Sequence, residues 1–191
     1  MSSIKLTADS GGGTFEIKAP SSSGNTRVLT LPDTGNLTLG GPYGKILQVV
    51  STTKTDSAST TTSGSWTDIS GLSVTITPSS TSSKIFIIVT IGSVSSSGGV
   101  SVGFLLRRGD TRVGNSASDT KQSGIGNAYA GSQDYLQTIS TNFLDSPNTT
   151  SATTYKMQWR PSGGTSYLGQ YTGNATEYNA SSTITVMEVA A

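Results

Sequence analysis

Lys84-Ile-Phe-Ile-Ile-Val-Thr-Ile91 is the longest nearly unbroken apolar run in a chain otherwise dominated by Ser, Thr and Gly. As a strand, eight residues span roughly 26 Å. Their β-branched content disfavours a helix. Alternation places Ile85, Ile87, Val89 and Ile91 on one face and Phe86 and Ile88 on the other. A half-buried strand would carry polar residues on one side. Here neither face suits water. The run reads as a central strand, covered on one face by its own domain. Its other face meets a second sheet or a second copy of the chain.

The segments around it read as further short strands. Lys45 to Val50 is a first strand, and Ser51 to Ser63 a Ser/Thr-rich loop or weak edge strand. Leu72-Ser-Val-Thr-Ile-Thr77 alternates strictly, with Leu72, Val74 and Ile76 inward. Val100 to Arg107 turns Val100, Val102, Phe104 and Leu106 inward, and Thr154 to Arg160 does the same with Tyr155, Met157 and Trp159. Asp134 to Leu144 is a longer strand, and Tyr167-Leu168 a short one. Ser182 to Val189 closes the chain, with Ile184 and Val186 on one face and Met187 and Val189 on the other. No segment keeps a helical apolar period beyond two turns. Strands at this spacing predict an all-β, antiparallel β-sandwich or jelly-roll body over residues 45–191.

Composition narrows the functional classes. The chain has 191 residues, of which 32% are hydrophobic and 12% charged, with 33 Ser, 30 Thr and 23 Gly. A net charge of +1 and ample β-formers argue against disorder, which is usually highly charged. So lean a core predicts that oligomerisation buries further surface. Neither Cys nor His is present. Disulfides, thiolate nucleophiles, the usual zinc sites and Ser-His-Asp triads are therefore excluded. No apolar stretch approaches a membrane span, and the first residues lack a signal-peptide core. No cofactor is expected.

Residues 1–44 carry four short strand-like pieces separated by Gly11-Gly-Gly13, Pro20 to Asn25 and Pro32-Asp-Thr-Gly35. Each has two or three apolar side chains, too few for an independent core. This segment is either an arm or a piece ordered by other chains. Gly40-Gly-Pro-Tyr-Gly44 marks the boundary with the body.

Arg108-Gly-Asp110 spells an integrin-binding tripeptide and equally reads as a glycine turn between strands. The cluster Arg107, Arg108 and Arg112 reads as a solvated turn, not a nucleic-acid site, in a chain of nearly balanced charge. The acids are scattered, with no pair at glycosidase-like or calcium-loop spacing. Tyr129, Tyr135, Tyr167, Tyr171 and Tyr178 lie among Gly, Asn and Ser, the composition of adaptable binding loops. That set suits a host-surface glycan or protein; the alternative is that it covers the edges of the core.

Two N-terminal segments, Gly12 to Pro20 and Leu29 to Leu37, resemble the start of bacteriophage tail-fibre-like proteins. Four body segments are similar to small virion proteins of phages: Val50–Asp56, Leu72–Lys84, Phe143–Tyr155 and Ser182–Glu188. The resemblance implies a homotrimeric virion component with a jelly-roll, tumour-necrosis-factor-like head, made in the bacterial cytoplasm and exposed on the particle. Ile85, Phe86, Ile87, Ile88, Val89, Ile91, Ile184, Val186 and Met187 would then pack the core and the trimer. Phe15, Ile17, Val28, Leu29, Leu31, Leu37 and Leu39 would dock the arm on other virion proteins of the tail or capsid. A short fibre with a host-binding head and a capsid decoration protein both remain open. A virion-borne, sugar-cleaving enzyme lacks a carboxylate pair to support it.

Overall fold

β6, Lys84–Ser96, is the longest strand of the body and grows from the apolar run. The computed structural model describes residues 3–7, 14–18, 44–114, 124–130, 135–171 and 179–191. The chain divides into two units, Met1–Gly40 and Gly41–Ala191. In the first, β1 (Ser3–Thr7) and β2 (Thr14–Lys18) form an antiparallel pair whose backbone register matches Ile4 to Ile17 and Leu6 to Phe15. Val28, Leu29, Leu31, Leu37 and Leu39 lie outside the described residues.

In the second unit, β6 is flanked by two antiparallel neighbours. β13 (Ser182–Val189) pairs along one side and β10 (Gln137–Asp145) along the other. β3 (Ile46–Lys54) adds beyond β13, giving the order β3-β13-β6-β10. Two short strands, β4 (Ala58–Thr60) and β12 (Ser166–Leu168), extend this sheet from the far end of β6. The second sheet runs β5 (Thr67–Ile76), β11 (Thr153–Pro161), β7 (Val100–Arg108). β8 (Thr111–Val113) and β9 (Gly126–Ala130) pair with successive halves of β7. Setting the short strands aside, the chain visits the sheets in jelly-roll order, β3-β13-β6-β10 against β5-β11-β7-β9.

Alternation decides what lies between the sheets. Ile85, Ile87, Val89, Ile91, Ile184 and Val186 enter the core from the first sheet. Leu72, Val74, Ile76, Val102, Phe104, Leu106, Tyr155, Met157 and Trp159 meet them from the second. One face of the decisive run is thus covered by its own chain. The other, carrying Phe86 and Ile88, lies on the outer surface of the first sheet and is half-buried.

Three strands run well beyond the stretches read from the sequence. Of the two readings of Ser51 to Ser63, the edge strand holds for Ser51 to Lys54, which continues β3 because Thr53 and Thr52 pair with Thr183 and Ile184. β5 begins well ahead of the alternating Leu72 to Thr77 stretch, at Thr67, and passes through Gly71 at φ +79°, where the register against β11 shifts. β6 runs on to Ser96 because it bends at Gly92-Ser93, with Ser93 at φ +47°, and re-pairs with β12. Gly92 is required there. A Cβ at this position would sit 2.6 Å from the Ser181 carbonyl oxygen and 2.9 Å from the Ala180 Cβ.

Gly92→Ala is therefore expected to destabilise the body by about 1–3 kcal/mol, the usual cost of overpacking. Gly64→Ala, where a Cβ meets nothing within 4 Å, is the control and is expected to change stability by less than about 0.5 kcal/mol. Urea unfolding of both variants checks this; equal midpoints would refute the close-approach argument.

Candidate functional site

Two carboxylates sit at one end of the sandwich in a single row across the first sheet. Glu188 and Asp145 both pair with Ile85, from opposite sides, and Gln48 follows Glu188. All are on the inward face. Period two carries Ile184 and Val186 into the core and then delivers Glu188, which has no exposed surface.

Among the described residues, Glu188 has no cationic partner. Its Oε1 accepts the Ser79 amide at 2.7 Å and the Ser79 hydroxyl at 2.6 Å, and its Oε2 accepts Gln48 Nε2 at 2.6 Å. Gln48 spends its other amide proton on the Thr77 carbonyl at 2.7 Å. Burial alone would push the Glu188 carboxyl up. The hydrogen bonds from Ser79, Gln48 and Ser83 outweigh burial and hold it at about 2. Glu188 thereby fastens the β5–β6 connection to β3 and β13.

Asp145 is satisfied from the opposite sheet. Its Oδ2 accepts Arg108 Nη1 at 2.7 Å and the Tyr155 hydroxyl at 2.6 Å. Arg108 also donates to the Ser146 carbonyl at 3.2 Å. Burial, and then the adjoining Asp145 carboxylate, push the Tyr155 hydroxyl well above its ordinary range, so it stays a protonated donor. The Arg108-Gly-Asp110 tripeptide is accordingly a tight hairpin. Gly109 at φ +55° turns β7 into β8, and the Arg108 side chain is committed to the sandwich. Neither carboxylate was singled out as a site from the sequence. An acid on the inward face of an alternating strand was the available signal for Glu188.

The outer faces of the two sheets differ. On the second, Asp68 accepts Lys156 Nζ at 3.0 Å and Gln158 Nε2 at 2.6 Å, and Arg107 donates to Gln158 Oε1 at 2.6 Å. The Arg112 guanidinium lies 5.6 Å from the centre of the Trp66 ring. On the first, an apolar row crosses four strands: Val49, Met187, Phe86 and Leu144 are successive cross-strand partners. Val49 and Leu144 are 55% and 53% exposed, Met187 and Phe86 half-buried. The residues assigned to core and trimer thus separate. Ile85, Ile87, Val89, Ile91, Ile184 and Val186 face inward; Phe86, Ile88 and Met187 face outward.

The tyrosines separate too. Tyr129 and Tyr135 are 57% and 59% exposed at the corner between β9 and β10. There the Gln137 side chain imitates a peptide group, donating to the Tyr129 carbonyl at 2.7 Å and accepting its amide at 3.2 Å. Tyr167 is half-buried in β12, between Ser59 and Ser95, and Tyr171 is half-buried beyond it. Tyr178 lies outside the described residues. The crevice beside Gln137, lined by Val94, Val102 and Ala128, holds no space wide enough for a water molecule. Among the described residues, no group of three or more acids could hold a metal ion, and no helix is long and apolar enough to cross a membrane.

These strands define an all-β, jelly-roll sandwich. No family model and no curated protein matches the chain. Among solved structures it is similar to that of infectious bursal disease virus, Gt strain, at 16% identity and a TM-score of 0.40, covering 87% of this chain and 43% of that one. It is also similar to a mutant VP2 protein of that virus in T=1 particles, at 15% identity and a TM-score of 0.42, covering 97% and 44%. For the VP2 subviral particle the values are 14% and 0.38, covering 84% and 46%. The chain spans less than half the length of these structures.

The carboxylate row has a pH signature. Because Glu188 is depressed in the folded protein, its contribution is complete above its unfolded value of about 4.5 and is lost as pH falls from there towards 2. Urea midpoints measured between pH 7 and pH 2 are expected to fall across that window. In Glu188→Gln the fall is expected to be shallower; an unchanged slope would refute the role given to Glu188. Asp145→Ala is expected to cost about 3 kcal/mol, since it leaves Arg108 and the Tyr155 hydroxyl without their acceptor. A loss under about 0.5 kcal/mol in the same unfolding assay would refute the cross-sheet tie.

Proposed function

We propose that this chain is a non-enzymatic structural protein of a bacteriophage virion, a short homotrimeric fibre whose jelly-roll head is displayed for host attachment. The observation that carries the reading is the resemblance of six segments, spread from Gly12 to Glu188, to phage fibre and virion proteins. A body of jelly-roll strands following a separate N-terminal unit is consistent with it. In this reading residues 1–44 dock on the particle through Phe15, Ile17, Val28, Leu29, Leu31, Leu37 and Leu39. The exposed Tyr129 and Tyr135 are then the first contacts for a host glycan or protein. Trimeric display would offset weak affinity at each copy. A buried Arg108–Asp145–Tyr155 network and a fully bonded Glu188 leave these groups to stability rather than to chemistry.

Labelling of intact particles with an antibody against the body, together with mass-spectrometric copy number, tests this. Label at the tail with few copies per particle is the expected result. Label spread over the head with many copies would replace the fibre by a capsid decoration protein, and absence from particles would overturn both. Removal of residues 1–40 is expected to leave a folded body that no longer joins particles; normal incorporation would refute the docking role of the arm.

A further inference from the structure

The outer face of the first sheet is unusual for a surface exposed to water. Across β3, β13, β6 and β10, every outward position is Ser, Thr, Asn or apolar except Lys84, which donates to the Ser146 hydroxyl at 2.7 Å. The row from Val49 to Leu144 crosses its middle. Ile46 and Leu47, 51% and 42% exposed, continue the apolar surface along β3. β3 is also the outer strand of the sheet, paired only with β13 among the described residues. The opposite outer face carries Asp68, Lys156, Arg107 and Arg112. Among the described residues, the outer face of the first sheet thus carries one charged side chain, Lys84, and that of the second carries several.

We infer that this face is covered by a second copy of the chain. Its chemistry selects that occupant. Nucleic acid, an anionic membrane or an acidic glycan would find one lysine at its margin and no cationic centre. A face with no opposed like charges can meet a copy of itself, or a neighbouring part of that copy, without repulsion. Depletion of charge around Met and aromatic side chains is the composition of an interface centre, and Phe86 and Met187 occupy that centre. Exposed apolar residues on an unpaired edge strand are a liability that assembly removes. This deepens the proposed trimer and depends on it only for the number of copies.

Sedimentation equilibrium of the purified full-length chain tests the inference. A mass several times 19.6 kDa is expected for the unaltered protein. Val49→Asp and Leu144→Asp, at positions already exposed, are expected to keep the circular dichroism spectrum and melting curve while the mass falls to that of one chain. Should either variant fail to fold, Thr185→Cys serves instead. The chain has no other cysteine, so maleimide labelling of this thiol is expected to be slow in the assembled protein and to speed up when dilution separates the copies. A monomeric unaltered protein overturns the inference together with the trimer. Multimers that persist in both aspartate variants, or a Thr185→Cys thiol that labels equally fast in assembled and diluted protein, overturn the choice of face and leave the trimer standing. Absence from virions overturns only the virion reading.

Discussion

Each strand of the body has an inward face that must leave water, and the sandwich exists because two such faces can hide only against each other. β6 imposes the strictest form of this constraint. Its inward isoleucines are fully covered, and they share one core with Phe104, Leu106, Tyr155 and Met157 of the opposite sheet. A protein only 32% hydrophobic has few side chains to spare for this. It concentrates them on alternate positions and leaves the intervening ones to Ser and Thr. The core is therefore thin, and its order depends on register: a slip of one residue in β13 would exchange Ile184 and Val186 for Thr183 and Thr185.

That dependence explains the two buried carboxylates. Both flank Ile85, at the end of the core, and each meets the cost of burial differently. Glu188 is surrounded by neutral donors, three of its bonds shorter than 2.8 Å. Asp145 takes a cation and a phenol from the opposite sheet. Both sets of bonds form in the native pairing, so a slipped register would leave either carboxylate buried without its donors. An apolar substitute at either position would pack as well in several registers.

Much of this was legible in the sequence, and the reason is the same alternation. Leu72, Val74 and Ile76 announce their inward face because their neighbours are Gly, Ser or Thr. The division of Phe86 and Ile88 from Ile85 and Ile87 follows equally from period two. What period two cannot express is a change of direction within a strand. The bend at Gly92-Ser93 depends on the approach of Ser181, nearly ninety residues away, and no local pattern records it. Leu105 escaped for a related reason. It stands on the outward side of β7 yet is fully buried, by cover that alternation does not reveal. The tyrosines share a composition but not a location, since Tyr129 and Tyr167 lie on different sheets.

The abundance of Ser and Thr has a physical role beyond filling positions. Across the sheets, hydroxyls pair with hydroxyls: Ser51 with Thr185 at 2.8 Å, Thr75 with Thr154 at 2.8 Å, Thr90 with Ser140 at 3.4 Å. Such pairs stabilise neighbouring strands modestly, by about 0.2–1 kcal/mol each. Unlike ion pairs they leave no fixed charge behind, and either hydroxyl can donate. A face built this way stays soluble while its strands form, yet it places no charge that must be desolvated when it is covered. On the first sheet the hydroxyl pairs border the apolar row, whereas the second sheet spends lysine, arginine and aspartate on its outer surface. Among the described residues, charge is thus uneven between the two outer faces, and the sheet with less of it is the one whose outer apolar residues are exposed in the single chain.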